Sequence, residues 1–166
     1  LKGTMIKTDR LGNVAIENLK PGTLINGSEV INVFSTKAHK DVVKLSKGSL
    51  AHNKPNKDLY VTESHMIVHP KTNNLSFAKD YINDDSITLY NSNKINELYH
   101  ILFKRWILIS ANNVKCESLC PINNKSILHL KEKTKLLSEK EYTKLVKRHF
   151  SFNYDNVKHI NNNIYF

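Results

Sequence analysis

Short apolar runs, separated by polar and turn-forming residues, recur along the first 118 positions. They fall at Met5–Ile6, Val14–Ile16, Thr23–Ile25, Val30–Phe34, Val42–Leu45, Leu59–Thr62, Met66–Val68, Ser86–Tyr90 and Tyr99–Phe103. Many short strands at such spacing, with no long helical pattern between them, predict an all-β domain rather than βαβ units. The turn chemistry agrees. Asn26-Gly27 stands between Leu24-Ile25 and Val30-Ile31, and a type I′ hairpin turn needs positive φ at both central residues, which Asn and Gly tolerate. Leu11-Gly12-Asn13 predicts a second turn. Lys20-Pro21-Gly22 predicts a third, Pro pre-setting φ and Gly taking the permissive position.

The last 48 residues differ. Ser138 followed by Glu141 is a capping-box pattern, and Tyr142, Leu145, Val146 and Phe150 recur at helical spacing. This predicts an amphipathic helix over about 139–149, its apolar stripe covering the domain's own core or a partner, followed by an Asn-rich tail. The division expected is a β domain over 1–120 and a C-terminal extension over 121–166.

The chain has 166 residues, 40% hydrophobic, and a formal net charge of +10. That length suits one domain with an appendage, large enough to fold without disulfide or metal. No apolar run approaches the roughly 18 residues of a membrane-spanning helix, and LKGTMIKTDR lacks the apolar stretch of a signal peptide. Cys116 and Cys120, spaced C-x3-C, fit neither a zinc knuckle nor a disulfide framework and read as thiols of a reducing compartment. Lys supplies 22 of the 25 basic residues and Arg stands only at 10, 105 and 148. Arg is the residue suited to bidentate recognition of bases and phosphates. Together with the lack of basic–aromatic interleaving, its scarcity argues against a nucleic-acid partner. The Lys/Asn/Ile bias goes with an AT-rich genome.

One segment carries chemistry. In Val61-Thr62-Glu63-Ser64-His65-Met66-Ile67-Val68 a T-x-x-H sits between two apolar runs. Alone it is weak. It is flanked in order by GTMIKT and VAIENLKPGTLI upstream, and by Leu98-Tyr99-His100-Ile101-Leu102, Trp106 to Val114 and Glu117-Ser118 downstream. These three ordered blocks, with Asp58-Leu59-Tyr60-Val61 leading into the middle one, resemble the Hint superfamily of Hedgehog autoprocessing domains and inteins. The likeness is nearest to bacterial-type Hedgehog/intein domains without endonuclease, and the Ser46–Lys57 loop is too short to hold one.

The resemblance covers about residues 1–120. It implies a mainly β, pseudo-twofold horseshoe of short antiparallel strands, with the chain's start and the late block meeting at the centre. It also implies a chemistry. A Cys, Ser or Thr attacks the preceding carbonyl, splitting one hard step into two. A histidine protonates the departing amide nitrogen, and a Thr hydroxyl holds the scissile peptide's polar atoms. By resemblance His65 is that acid, Thr62 the orienting residue, and His100 a supporting one that equally reads as a cross-strand histidine. No metal or organic cofactor is implied.

The departures define a second reading. Leu1 takes the third position of the opening block, so the nucleophile would stand two residues before it. Trp106 replaces the late-block histidine and cannot shuttle a proton. No His-Asn closes the fold, so splicing by Asn cyclisation is not expected. Cys116 has nothing beside it to lower its pKa. The chain is therefore expected either to cleave the bond joining it to its own upstream segment, once, or to be an inactive Hint fold. As the latter it would serve as a structural module, with the C-terminal extension docking on a larger assembly such as a viral particle.

Overall fold

The computed structural model describes residues 1–118, apart from Lys37, His39, Asn96, Lys104, Arg105 and Trp106. The helix expected at 139–149, the tail, Cys120 and the Trp106 replacement lie outside these residues.

Among the described residues twelve short strands form three antiparallel sheets. Their ranges are Met5–Lys7 (β1), Asn13–Ala15 (β2), Leu24–Ile25 (β3), Ser28–Thr36 (β4), Val42–Leu45 (β5) and Leu59–Thr62 (β6). They continue with Met66–Val68 (β7), Leu75–Phe77 (β8), Ile87–Tyr90 (β9), Leu98–Phe103 (β10), Leu108–Ala111 (β11) and Val114–Glu117 (β12). The largest sheet runs β2-β1-β11-β12-β7-β8. The others are β10-β4-β3 and β6-β5-β9. The mainly β class read from the sequence is the one observed.

Each predicted run contains a strand, with edges moved by pairing. β4 extends beyond Val30–Phe34 because β10 pairs with it as far as Leu98↔Thr36, drawing polar residues into the ladder. Ile16 leaves β2 for a 3-10 turn at Ile16–Asn18, whose burial of Ile16 anchors it to the core. β8, β11 and β12 were not among the predicted runs, and Leu108–Ala111 entered only within the late block of the resemblance. β8 is three residues long, and β12 reads VKCE, with its Val and Cys buried against the sheet and its Lys exposed.

The turns follow local stereochemistry. Asn26 and Gly27 have φ of 52° and 69°, and Leu24↔Glu29 and Ile25↔Ser28 close a two-residue hairpin. The Asp9 carboxylate accepts from both turn amides at 2.8 Å. Asn112-Asn113 make the same kind of turn between β11 and β12, with φ of 45° and 68° and Ala111↔Val114 as the last pair.

The core joins the sheets through Ile6, Ile25, Val43, Leu45, Leu59, Ile67 and Phe103, all buried. At its centre Asn112 is only 1% exposed. Its Oδ1 accepts from Met5 N at 2.8 Å, and its Nδ2 donates to the Asp58 carbonyl at 2.9 Å and the Lys57 carbonyl at 3.3 Å. Its backbone N–H donates to the Met5 carbonyl and its carbonyl accepts from Asn56. One residue thus ties β1, the β11–β12 turn and the approach to β6.

Asn112→Ala strands Met5 N–H and two carbonyls and forces alanine into the left-handed region, so it should cost about 3 kcal/mol. Asn112→Gly keeps the φ and should cost less. The urea midpoints of the two variants, in the order wild type, Gly, Ala, check this.

Candidate functional site

The site begins at the first residue. Leu1 to Thr4 form a tight turn in which Gly3 has φ of +78°, a conformation that L side chains rarely adopt. Thr4 N donates to the Leu1 carbonyl at 3.2 Å. The Thr4 hydroxyl donates to the same carbonyl at 2.7 Å and accepts from the Leu1 amine at 3.3 Å. Gly3 N donates to the Glu17 carboxylate at 2.8 Å, and Ile16 N to the Thr4 carbonyl at 2.8 Å. The chain's start is therefore strapped onto the β2 end of the large sheet.

The middle block is a second tight turn. Thr62 closes β6 and His65 precedes β7, with His65 N donating to the Thr62 carbonyl at 3.0 Å. Glu117, at the end of β12, holds this turn twice. Its carboxylate accepts from Met66 N at 3.1 Å, and its main-chain carbonyl accepts a hydrogen bond from the His65 ring. The third contribution is β10, where His100 lies opposite Phe34. Its ring stacks on Phe34 with centroids 5.1 Å apart, and its Nε2 lies 3.0 Å from the Thr36 hydroxyl.

Thr62 and His65, named from one stretch of sequence, and His100, named from another, line one cavity of about 470 Å³. Leu1, Cys116 and Ser118 line it too, and Leu59, Leu98 and Ile101 give it apolar walls. These surroundings decide the protonation states. His65 is pushed down to about 4, first by burial and then by repulsion from the His100 ring, against the opposing bond to the Glu117 carbonyl. At neutral pH its imidazole is uncharged, with one nitrogen donating to Glu117 and the other an acceptor. The Cys116 thiol goes the other way, pushed up to about 12 by burial and by Glu117.

The cavity suits transfer of a proton to or from a peptide held beside His65. It does not suit thiolate chemistry at Cys116. His69 stands apart at the end of β7, its ring stacked on Tyr81 and its Nδ1 accepting from Lys71 N and Thr72 N. Among the described residues no group of three or more His, Cys, Asp or Glu is placed to hold a metal ion. No helix among them is long and apolar enough to cross a membrane.

The family comparison now adds to this geometry. The sequence model of the Hint domain matches residues 1–123. The chain belongs to the Hint domain family. Among curated proteins none matches it.

In this Hint domain the sequence reading assigned no role to Thr4, Glu17, Glu117 or Ser118, although all four lie in the quoted blocks. Ser118 is 1% exposed, its hydroxyl accepting from Ile107 N at 3.1 Å while its own N–H donates to the Ile107 carbonyl. It closes the cavity wall by holding the approach to β11. Glu17 and Glu117 act through main-chain atoms far away in sequence, and a motif of side-chain types carries no signal of that.

Two measurements check these protonation states. In a ¹H–¹³C NMR titration the His65 ring should stay neutral through pH 6 and titrate near 4. Its folded pKa lies below the ordinary 6.5, so the unfolded chain binds more protons between those values. The stability it contributes is complete above pH 6.5 and is lost as pH falls towards 4. Wild type should lose on the order of 2 kcal/mol more than His65→Phe between pH 7 and 4. Cys116, with its thiol held protonated, should resist iodoacetamide at pH 8 in the native protein and react on unfolding, as peptide mass mapping would show.

Proposed function

We propose that this Hint domain is an autoprocessing domain of the bacterial Hedgehog/intein type. It cleaves the peptide bond ahead of itself by an N-to-S or N-to-O acyl shift, with the nucleophile two residues before Leu1. The observation that carries the proposal is the convergence of Leu1 with Thr62, His65 and His100 on one cavity. The residues ahead of Leu1 then run beside His65.

The neutral imidazole organises the step. A ring with a pKa near 4 takes the proton of the nucleophile as sulfur or oxygen attacks the upstream carbonyl. As imidazolium it is a strong enough acid to pass that proton to the amide nitrogen when the C–N bond breaks. The upstream acyl group ends on sulfur or oxygen and the nucleophile's proton on the new amine, so the shift balances within the chain. A water, thiol or amine then takes the acyl group and releases the upstream segment. Thr62 orients the scissile peptide and His100 supports His65, its ring disfavouring the charged form of His65 beforehand. The loop joining β5 to β6 closes on itself through Gly48 N to the Pro55 carbonyl and Leu50 N to the Lys54 carbonyl, and carries no inserted domain.

A second reading, an inactive structural module whose 121–166 extension docks on a larger assembly, is favoured by Trp106 in place of the late-block histidine. Intact mass of a chain extended by about 30 natural residues ahead of Leu1 separates the two. Cleavage at a Cys, Ser or Thr two residues before Leu1 is expected, faster with hydroxylamine, slowed ~10²–10⁴-fold by His65→Ala and at least ~10²-fold by Thr62→Ala. A stable mass in hydroxylamine overturns the autoprocessing reading in favour of the module.

A further inference from the structure

The cavity presents His65, but a peptide reacts there only if it arrives in register. Between Leu1 and Met5 that register is set by three hydrogen bonds to side chains. Gly3 N reaches Glu17 at 2.8 Å, the Leu1 carbonyl receives the Thr4 hydroxyl at 2.7 Å, and Met5 N reaches Asn112 at 2.8 Å. Asn112 fixes β1 as part of the core. Thr4 and Glu17 instead act on the turn from which any preceding residue departs. Thr4 is 8% exposed, and its hydroxyl lies within hydrogen-bond distance of both the Leu1 nitrogen and the Leu1 carbonyl. Glu17 stands in the 3-10 turn Ile16–Asn18, whose Ile16 is buried in the core, so the carboxylate is carried on a fixed support. The Gly3 amide holds the Glu17 carboxyl below its ordinary pKa, the bond its own backbone N–H makes adding to this, so it is charged at neutral pH.

We propose that Glu17 and Thr4 form a clamp that positions the upstream peptide for cleavage: Glu17 pins the Gly3 amide, Thr4 pins the Leu1 peptide, and the chain ahead of Leu1 is thereby directed past His65. The inference rests on the autoprocessing reading and names two positioning residues for it. Neither transfers a proton to the reacting atoms. Without the clamp the Leu1–Thr4 turn samples other directions, and misplacing a reacting peptide by about 1 Å is enough to cost up to ~10²-fold. Positioning acts on the acyl shift and not on the later capture of the ester. A loosened clamp therefore makes the shift rate-limiting.

The test uses the chain extended upstream of Leu1, with cleavage followed by intact mass at several hydroxylamine concentrations. Glu17→Ala and Thr4→Val should each cleave about 10- to 100-fold more slowly, with a rate that no longer rises with hydroxylamine. Glu17→Gln, whose amide oxygen still accepts from Gly3, and Thr4→Ser should restore most of the rate and the hydroxylamine dependence. Backbone hydrogen exchange at Gly3 should quicken in Glu17→Ala and not in Glu17→Gln. Asn83→Ala serves as the control for a general loss of stability, since Asn83 Oδ1 accepts from Asp85, Ser86 and Ile87 N–H in a loop that does not line the cavity. If Glu17→Ala and Thr4→Val slow cleavage no more than Asn83→Ala, or keep the hydroxylamine dependence, the clamp is overturned while the autoprocessing reading stands. If the extended wild-type chain does not cleave, that reading fails and the clamp falls with it.

Discussion

Burial of one amide side chain holds the molecule's centre together. Asn112 sits where β1, the β11–β12 hairpin and the lead into β6 meet, and each of its polar atoms has a partner on one of those segments. A buried amide left unsatisfied costs far more than a satisfied one returns, so the three segments have little freedom to separate. The cavity follows from that constraint. Ala111 and Thr4, immediate neighbours of this junction, stand in its wall, as do Leu59 and Thr62 from β6. Only a residue that accepts positive φ and also bears an acceptor and a donor can serve there, which is why an Asn occupies a turn position.

The second physical theme is desolvation, which acts on the two reactive residue types in opposite senses. Removing water disfavours the charged form of each. For His65 this means a neutral ring, which can take a proton before it gives one. For Cys116 it means a protonated, unreactive thiol on the same cavity wall. One cavity thus keeps the imidazole of His65 able to accept a proton and the thiol of Cys116 protonated. Repulsion from the His100 ring adds to burial in favouring the neutral state of His65, while the Glu117 carbonyl fixes which way the ring faces.

Much of the fold was legible because short β-strands and tight turns carry their instructions locally. Asn26-Gly27 adopts the two positive φ values its residue types favour, and each predicted apolar run contains a strand. The misses have local causes too. In β12 buried Val114 and Cys116 alternate with Lys115 and Glu117 over only four residues, and in β8 the run is shorter still. Of the site, Thr62, His65 and His100 were visible as residue types within ordered blocks. Glu117 was visible only as a block letter, since its main-chain carbonyl does half of its work. Glu17 too was visible only as a letter of VAIENLKPGTLI, because its partner is an amide fourteen positions away.

The sequence by itself determined the mainly β class, the turn positions and the residue types with chemistry to offer, because period-two burial and turn stereochemistry are properties of a few adjacent residues. Only the tertiary structure decided that Leu1, Thr62, His65, His100 and Glu117 share one chamber, that the His65 ring is neutral there and that Asn112 joins three segments. Those outcomes depend on which distant groups exclude water from one another, and on which backbone atoms come within hydrogen-bond distance. Neither quantity is written in the identity of any residue or its neighbours.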